Sequence, residues 1–303
     1  MANSSRKFSL AGSWVALVTP FDTTGRIDFA AIDRLVEFHL DAGTDGIVIS
    51  GTTGESPTLS DDEKCQVMEH VAKLAAGKIG LAFGSGANDT HHAVKLTRRA
   101  AELGADAVLV VTPYYNKPGQ PGLIAHFTEV AAATKLPVIL YNVPGRTGVN
   151  LSPASVLELA KIRNVRAVKE ASGNLVQIQE ILRGAPSGFV LLSGDDALNL
   201  PIMAVGGVGT ISVTANVAPR RVKTFCDAAR AQRWDEARRE HLELLPLHNA
   251  LFVEANPIPV KAALALLGLI GEHLRLPLVR AQSATRDTLS RVLGELGLLP
   301  DVG

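Results

Sequence analysis

The sequence contains very few cysteines. Only Cys65 and Cys226 occur among 303 residues, and they lie far apart, outside any CxxC spacing. This scarcity argues against a disulfide framework and against a cysteine-ligated zinc site, and it fits a reducing compartment.

An excess of charge and a long apolar run are also absent. Lys plus Arg and Asp plus Glu number 30 each, whereas a nucleic-acid partner would call for a basic stripe. The apolar stretch around 262–270 is far shorter than the ~20 residues that span a bilayer. The N-terminal segment lacks the apolar core of a secretory signal. We therefore expect a cytoplasmic protein with neither a nucleic-acid nor a membrane partner.

The sequence does contain a regular alternation of strand and helix patterns. Short runs rich in Val, Ile and Leu cover 14–21, 45–50, 79–84, 105–112, 137–143, 165–170, 189–193 and 209–214. The amphipathic stretches between them include 29–42, 61–75, 90–103 and 124–134. Continuously apolar strands indicate a parallel sheet covered by helices. Eight alternations predict a (β/α)8 TIM barrel, and a doubly wound open sheet is the alternative.

The strand pattern ends near residue 232. Three helical patterns follow, over 234–244, 259–267 and 283–296. We therefore predict a barrel domain over 1–232 and a C-terminal helical appendage over 233–303.

Lys169 is an unusual residue at the end of a buried strand. In a barrel of this kind, residues at the carboxyl ends of the strands face the active-site mouth. Strand alternation from Val165 and Ala167 places Lys169 on their face of the strand. If that face is the barrel interior, desolvation disfavours the ammonium form and leaves an amine that can attack a carbonyl. The alternative is a solvated lysine at a strand end.

Tyrosines cluster near this lysine. The chain has three, Tyr114, Tyr115 and Tyr141, and all lie at the ends of the fourth and fifth predicted strands. Tyr141 ends the strand next to that of Lys169, where its phenol could shuttle protons during imine formation. The alternative is a tyrosine that belongs only to the core.

Two loops offer groups that bind anions. Residues 51–54, Gly-Thr-Thr-Gly, combine backbone N–H groups with the hydroxyls of Thr52 and Thr53, a combination that suits a small carboxylate or phosphate. Arg146 follows Tyr141 in a glycine-containing loop and could clamp a second carboxylate. Each pattern alone also fits an ordinary turn or a surface arginine.

No pattern calls for a cofactor. No histidine ends a predicted strand, and residues 206–209 lack the spacing of a dinucleotide-binding loop. We therefore expect neither a metal nor an organic cofactor.

Five ordered motifs, together with a segment in the appendage, resemble the dihydrodipicolinate synthase / N-acetylneuraminate lyase family. They are Gly51–Ser56, Thr112–Asn116, Tyr141–Gly148, Val168–Ala171, Ser193–Asp196 and, in the appendage, Leu251–Lys261. The likeness runs over nearly the whole chain. It implies an aldolase-type reaction in which pyruvate forms an imine with Lys169 and the derived enamine attacks an aldehyde.

The resemblance also implies a role for each of the other residues. Tyr141 matches the proton-transfer tyrosine. Thr53 matches the threonine of a hydroxyl relay that ends at Tyr115. In the family, this second tyrosine comes from a neighbouring subunit. Thr52 and Thr53 match the pyruvate-carboxylate site, and the Ile211 carbonyl matches a backbone acceptor near the lysine. A homotetramer, a dimer of dimers, is expected from the same resemblance.

Within the family, the tandem Thr52–Thr53 resembles the pattern of the synthases. These enzymes join pyruvate to aspartate semialdehyde on the route to lysine and diaminopimelate. Arg146 matches the arginine that holds the carboxylate of that aldehyde. The product is then 4-hydroxy-tetrahydrodipicolinate. The alternatives are another pyruvate-dependent aldolase, acting on a keto-deoxy sugar acid or N-acetylneuraminate, and a non-catalytic binding relative.

The resemblance extends to a regulatory pocket for lysine. Lysine-inhibited relatives have a histidine and an acidic residue there, and the matching residues in this chain are Lys64 and His92. Asn88 and Tyr114 are retained. A bound lysine would meet the Lys64 cation without a compensating carboxylate. We therefore expect weak or no inhibition by lysine.

Overall fold

The computed structural model describes residues 8–299. Its parallel strands close into a barrel in chain order. They are β1 (Gly12–Ala16), β2 (Gly46–Ile49), β3 (Gly80–Gly84), β4 (Ala107–Val111), β5 (Val138–Asn142), β6 (Val165–Glu170), β7 (Val190–Ser193) and β8 (Gly209–Ser212). The last strand pairs with the first, with Ile211 beside Trp14. The predicted (β/α)8 barrel is confirmed, and the open-sheet alternative is wrong.

Helices connect the strands and form the C-terminal part. They are α1 (Phe29–Asp41), α2 (Asp61–Ala75), α3 (Thr90–Glu102), α4 (Gln120–Ala132), α5 (Pro144–Thr147), α6 (Pro153–Leu159), α7 (Leu175–Gly184), α8 (Asn199–Ala204), α9 (Pro219–Arg230), α10 (Trp234–Ala250), α11 (Ile258–Leu266) and α12 (Ser283–Glu295). The start of α2 is fixed by a capping box between Ser60 and Glu63, which satisfies N–H groups that would otherwise be unpaired. No helix within residues 8–299 combines the length and apolar composition needed to cross a membrane.

Several element bounds differ from the predicted ones. The first strand ends at Ala16, and Phe21 instead forms an isolated antiparallel bridge with Ile27. Helix α4 begins at Gln120, because Pro121 fits a first helical turn, where a missing N–H is harmless. Helix α10 continues through Pro246 to Ala250. The division into two domains at residue 232 stays a prediction.

The barrel has separate apolar layers inside and outside the sheet. Side chains that include Trp14, Ala167, Leu192 and Ile211 fill the interior, while a larger cluster lies between the strands and the helices. Trp14 occupies the inside so closely that a Cβ at Gly46 would lie 2.2 Å from its ring. Glycine at position 46 therefore leaves the space that the Trp14 ring occupies inside the barrel.

Strand β6 turns Lys169 towards the interior. Ala167 belongs to the inner layer and Val168 to the outer layer, so alternation gives Lys169 the inner face. The expectation that Val165 shares this face is wrong, because Val165 packs in the outer cluster. A register shift against β5 leaves Arg166 as an extra residue and reverses the alternation there.

Candidate active site

Lys169 lies beside Tyr141 at the carboxyl ends of two neighbouring strands. The two residues are direct partners in the β5–β6 ladder. Lys169 is 5% exposed, and its Nζ lies 4.2 Å from the centroid of the Tyr141 ring. A Cβ at Gly194 would come within 2.8 Å of the Lys169 Cε, so glycine leaves the space that this side chain occupies. The arrangement confines a lysine amine against an aromatic face in a largely dry site.

A buried carboxylate fixes the strand that carries Lys169. Glu170 is fully buried on the opposite face of β6. It accepts hydrogen bonds from Asn142 Nδ2 at 3.1 and 3.2 Å, from the Ser172 N–H at 2.7 Å and from Gln177 Nε2 at 3.1 Å. Satisfied buried networks of this kind hold a backbone in one arrangement. Sequence reasoning missed Glu170, whose only signal was a second charged residue at the end of an apolar strand.

The loop after β2 brings both threonines to the barrel mouth. Thr52 lines the cavity there, and Thr53 is buried. The turn uses the N–H groups of Gly54 and Ser56, which donate to the Gly51 carbonyl. The N–H groups of Thr52 and Thr53 make no hydrogen bond within residues 8–299. These two donors match the carboxylate-binding function expected of this loop.

Asn256 joins this loop to the arginine. Its Nδ2 donates to Thr53 Oγ1 at 3.0 Å, and its backbone carbonyl accepts from an Arg146 guanidinium nitrogen at 3.2 Å. Arg146 lies in the short helix α5 and also lines the cavity. The C-terminal helical region thus supplies a residue that contacts both sides of the site. Sequence reasoning quoted Asn256 within a motif but gave it no role.

A buried ion pair holds the C-terminal region against the same loop. Lys261 Nζ lies 2.5 Å from Glu55 Oε1, and both side chains are completely buried. Glu55 Oε2 also accepts from the Arg275 backbone N–H at 3.1 Å. Burial lowers the pKa of Lys261 to about 8, although the nearby Glu55 opposes the shift. The pair joins α11 to the loop that carries Thr52 and Thr53.

The motif that follows β7 connects it to β8. Asp196 is buried and accepts from the backbone N–H groups of Val213 and Thr214 at 2.8 and 2.9 Å. Burial acts to raise the pKa of Asp196, but nearby His248 and the hydrogen bonds outweigh it, so the pKa lies below its ordinary value. Burial followed by repulsion from Asp196 raises the pKa of Asp195. The ionised Asp196 therefore holds the chain just after Ile211.

A cavity of about 250 Å³ opens at this end of the barrel. Its lining includes Thr52, Tyr114, Tyr141 and Arg146 and contains no Asp or Glu. Residues 8–299 contain no cluster of three or more His, Cys, Asp or Glu that could hold a metal ion. A cavity with this lining suits anionic ligands.

Four predicted site residues do not line the cavity: Lys169, Thr53, Tyr115 and Ile211. Tyr115 is 88% exposed and does not line it, and its φ of 73° is one that tyrosine rarely adopts. Within one subunit the structure does not bring Tyr115 to Lys169. Ile211 is buried on the inner face of β8, one residue before the strand ends.

A family model and individual relatives both match the chain. The model of the dihydrodipicolinate synthetase family matches residues 9–296. The chain belongs to this family. Tyr141, Lys169 and the loop with Thr52 and Thr53 all lie inside the matched region.

Relatives of similar length support the assignment. The 4-hydroxy-tetrahydrodipicolinate synthase of Pseudomonas syringae pv. syringae (strain B728a) is 48% identical over 290 residues, covering 96% of this chain and 99% of that protein. The crystal structure of dihydrodipicolinate synthase from Aquifex aeolicus superposes with a TM-score of 0.94 at 46% identity, covering 96% of this chain and 100% of that one. A monomeric dihydrodipicolinate synthase variant has a TM-score of 0.94 at 43% identity, covering 95% and 97%.

Residues expected at a lysine pocket also line the cavity of this family member. Lys64, His92 and Tyr114 all line it, so the predicted helix register brings them to one cavity. Asn88 does not line the cavity, and its carbonyl accepts from Asn116 Nδ2 at 2.8 Å. Whether lysine binds there stays a prediction.

Proposed function

We propose that this chain condenses pyruvate with L-aspartate 4-semialdehyde to give 4-hydroxy-tetrahydrodipicolinate, in the biosynthesis of lysine and diaminopimelate. The observation that carries the proposal is the buried amine of Lys169, confined against Tyr141 at the barrel mouth of a family member. The full-length likeness to proteins named for this reaction supports the choice of substrates. The chain is therefore a lyase that uses a covalent imine in place of a cofactor.

The first half of the proposed reaction activates pyruvate. Lys169 Nζ attacks the ketone carbon, and Tyr141 passes a proton to the carbinolamine oxygen, so that this oxygen leaves as water. Loss of a methyl proton then converts the imine into an enamine. The free N–H groups and hydroxyls of Thr52 and Thr53 hold the pyruvate carboxylate, and the Ile211 carbonyl accepts a hydrogen bond near the lysine.

The second half joins the two substrates. The enamine carbon attacks the aldehyde carbon, and Arg146 holds the carboxylate of aspartate semialdehyde in a charge-assisted pair. The substrate's own amine then attacks the imine carbon, which closes the ring and releases Lys169. Thr53 accepts from Asn256 at 3.0 Å, which leaves its hydroxyl proton free to be donated along the relay.

Assembly belongs to the same proposal. The exposure of Tyr115 supports a subunit arrangement in which the partner's copy completes the relay at each site. We propose a homotetramer built as a dimer of dimers, located in the cytoplasm. The active enzyme then needs at least the dimer that exchanges this tyrosine.

The test is product formation by the purified chain. Pyruvate is supplied with aspartate semialdehyde, with N-acetylmannosamine or with a sugar-acid aldehyde, and each product is identified by mass spectrometry. Of the three aldehydes, we expect only aspartate semialdehyde to react with pyruvate. The Lys169→Ala variant should form no product. Preferred turnover of either sugar substrate would establish another pyruvate-dependent aldolase, and inactivity with all three would establish a binding relative.

A further inference from the structure

Another cavity lies at the amino ends of β5 and β6, on the side of the barrel opposite the site of Lys169. It has a volume of about 480 Å³, and its lining residues are Thr134, Lys135, Pro137, Arg163, Asn164 and Arg166. Three of them are cations, and within residues 8–299 none of these three makes a hydrogen bond or an ion pair. The lining contains no Asp or Glu. The described part of the protein therefore leaves the positive charge of this cavity unneutralised.

The backbone directs Arg166 to this cavity. Arg166 is the one exposed residue of β6, whose other residues are buried. The register shift against β5 inserts it as an extra residue, and such an insertion turns a side chain out of the regular alternation. A Cβ at Gly188 would lie 2.7 Å from Arg166 Nη2, so glycine leaves room for the guanidinium there. The arginine is thus placed by its own strand and by the loop before β7.

Asn164 joins the two segments that form the cavity. Its Nδ2 donates to the carbonyls of Ala131 and Thr134, each at 2.9 Å. These bonds connect the turn that carries Arg163 to the end of α4 and the segment that carries Lys135. The backbones of the two segments are therefore fixed relative to each other before a ligand arrives, which lowers the ordering cost of binding.

Three unpaired cations around one cavity favour a ligand with more than one negative charge. Like charges that converge on one space repel each other, and a bound anion would offset that repulsion. The guanidinium groups of Arg163 and Arg166 are planar forks of donors that match phosphate oxygens. A nucleic acid calls for cations along a stripe, whereas the neighbouring Lys161 is paired with Glu158 at 2.5 Å. The arrangement therefore suits a small phosphate-bearing ligand.

We propose that the cavity at the amino ends of β5 and β6 binds a small phosphate-bearing anion through Arg163, Arg166 and Lys135. The ligand is free phosphate or a phosphate monoester, which share a doubly charged group. The cavity is within the range of roughly 300–1,000 Å³ that is typical of small-molecule sites, so a monoester has room. This site and Lys169 lie at opposite ends of β6, so the proposal does not rest on the proposed function, and its measurement is binding and not turnover.

The test is calorimetric titration of inorganic phosphate into the full-length protein at constant ionic strength. We expect saturable binding that the double variant Arg163→Gln, Arg166→Gln weakens at least about fivefold, a modest loss because water screens exposed charge pairs. Arg166→Lys alone keeps the charge and should retain most of the binding. Lys161→Gln, which removes a neighbouring exposed cation that does not line the cavity, is the matched control and should leave binding unaltered.

A second titration distinguishes the two sources of the phosphate group. Glycerol phosphate, a monoester, replaces inorganic phosphate under the same conditions. Binding of the ester that depends on the same arginines would make phosphorylated metabolites ligands, whereas binding of inorganic phosphate alone would make the free ion the ligand.

Two results would overturn the proposal. One is equal affinity of the wild type and the folded double variant, or no binding of either probe to the wild type. The other is loss of phosphate binding in Arg146→Ala with binding retained in the double variant, because phosphate would then occupy the cavity that Arg146 lines at the barrel mouth.

Discussion

Two regions of this molecule each bury a lysine against an aromatic ring, with opposite arrangements of charge. Lys169 Nζ lies 4.2 Å from the Tyr141 ring centroid, and Lys261 Nζ lies 4.2 Å from that of Phe21. Lys261 is fully enclosed and paired with Glu55 at 2.5 Å. Lys169 has no carboxylate partner within residues 8–299 and adjoins a cavity through Tyr141.

The difference shows which property separates a reactive lysine from a structural one. Lys261 has a pKa lowered to about 8 by burial, so the shift alone would nominate it as a nucleophile. Its amine is nevertheless occupied by Glu55 and has no access to a ligand. Access and the absence of a paired carboxylate therefore decide the role, and burial alone does not.

The largest expected effect is that of Lys169→Ala on turnover. Removing the nucleophile should lower kcat by more than about a thousandfold, because the covalent route disappears. Stability should be unchanged or slightly higher, since a buried unpaired amine is removed. Borohydride with pyruvate should leave a single reduced adduct, mapped to Lys169 by peptide mass spectrometry. An adduct on Lys261 would show that Lys261, and not Lys169, is the nucleophile.

The next effect concerns stability at the other lysine. Lys261→Met should lower the free energy of unfolding by about 3–5 kcal/mol, because Glu55 is left buried without its partner. Urea denaturation followed by circular dichroism measures this loss. The double variant Glu55→Gln, Lys261→Met is the matched control and should recover most of the stability. If Lys261→Met is as stable as the wild type, the ion pair does not stabilise the contact between α11 and the loop after β2.

Arg146 lies between the two regions, since its guanidinium donates to the Asn256 carbonyl of the C-terminal part. Arg146→Ala should reduce kcat/KM for aspartate semialdehyde ten- to a hundredfold, because a charge-assisted pair contributes about 1.5–3 kcal/mol. The KM for pyruvate should change little. Steady-state kinetics with each substrate varied in turn separate these effects, with the exposed Arg166→Ala as control. Equal losses for both substrates would make the arginine structural.

The barrel was predictable because its signals are local. Continuously apolar strands and amphipathic helices are recognisable within short stretches of sequence. Eight alternations of the two predict a closed barrel. The side of the strand on which Val165 lies was not predictable, because it depends on the register between β5 and β6, which a single strand does not encode. The continuation of α10 past Pro246 was missed because proline usually ends a helix.

The candidate site was likewise predictable only where its signals are local. Lys169 and Tyr141 were predicted together because neighbouring parallel strands end at one edge of the sheet. Asn256 was missed because its partners Thr53 and Arg146 lie 203 and 110 residues away in the chain. Contacts of that separation arise from how the C-terminal helices pack on the barrel, which periodicity does not describe.

Lys64 is a third buried lysine and gives the smallest expected effect. Like Lys169, it makes no ion pair within residues 8–299, but it lies on a helix and lines the cavity. L-Lysine added at millimolar concentration should leave the initial rate unchanged. L-Lysine carries a net positive charge, and an ammonium group close to the Lys64 cation in a partly shielded site is repelled by on the order of a few kcal/mol.

A change of charge in the cavity lining sharpens this prediction. The double variant Lys64→His, His92→Glu should gain inhibition by lysine, since it removes the cation and adds a carboxylate to the cavity lining. Strong inhibition of the wild type at sub-millimolar lysine would contradict this prediction. It would mean that the Lys64 side chain moves away from the ligand and is not held in place as Lys169 is.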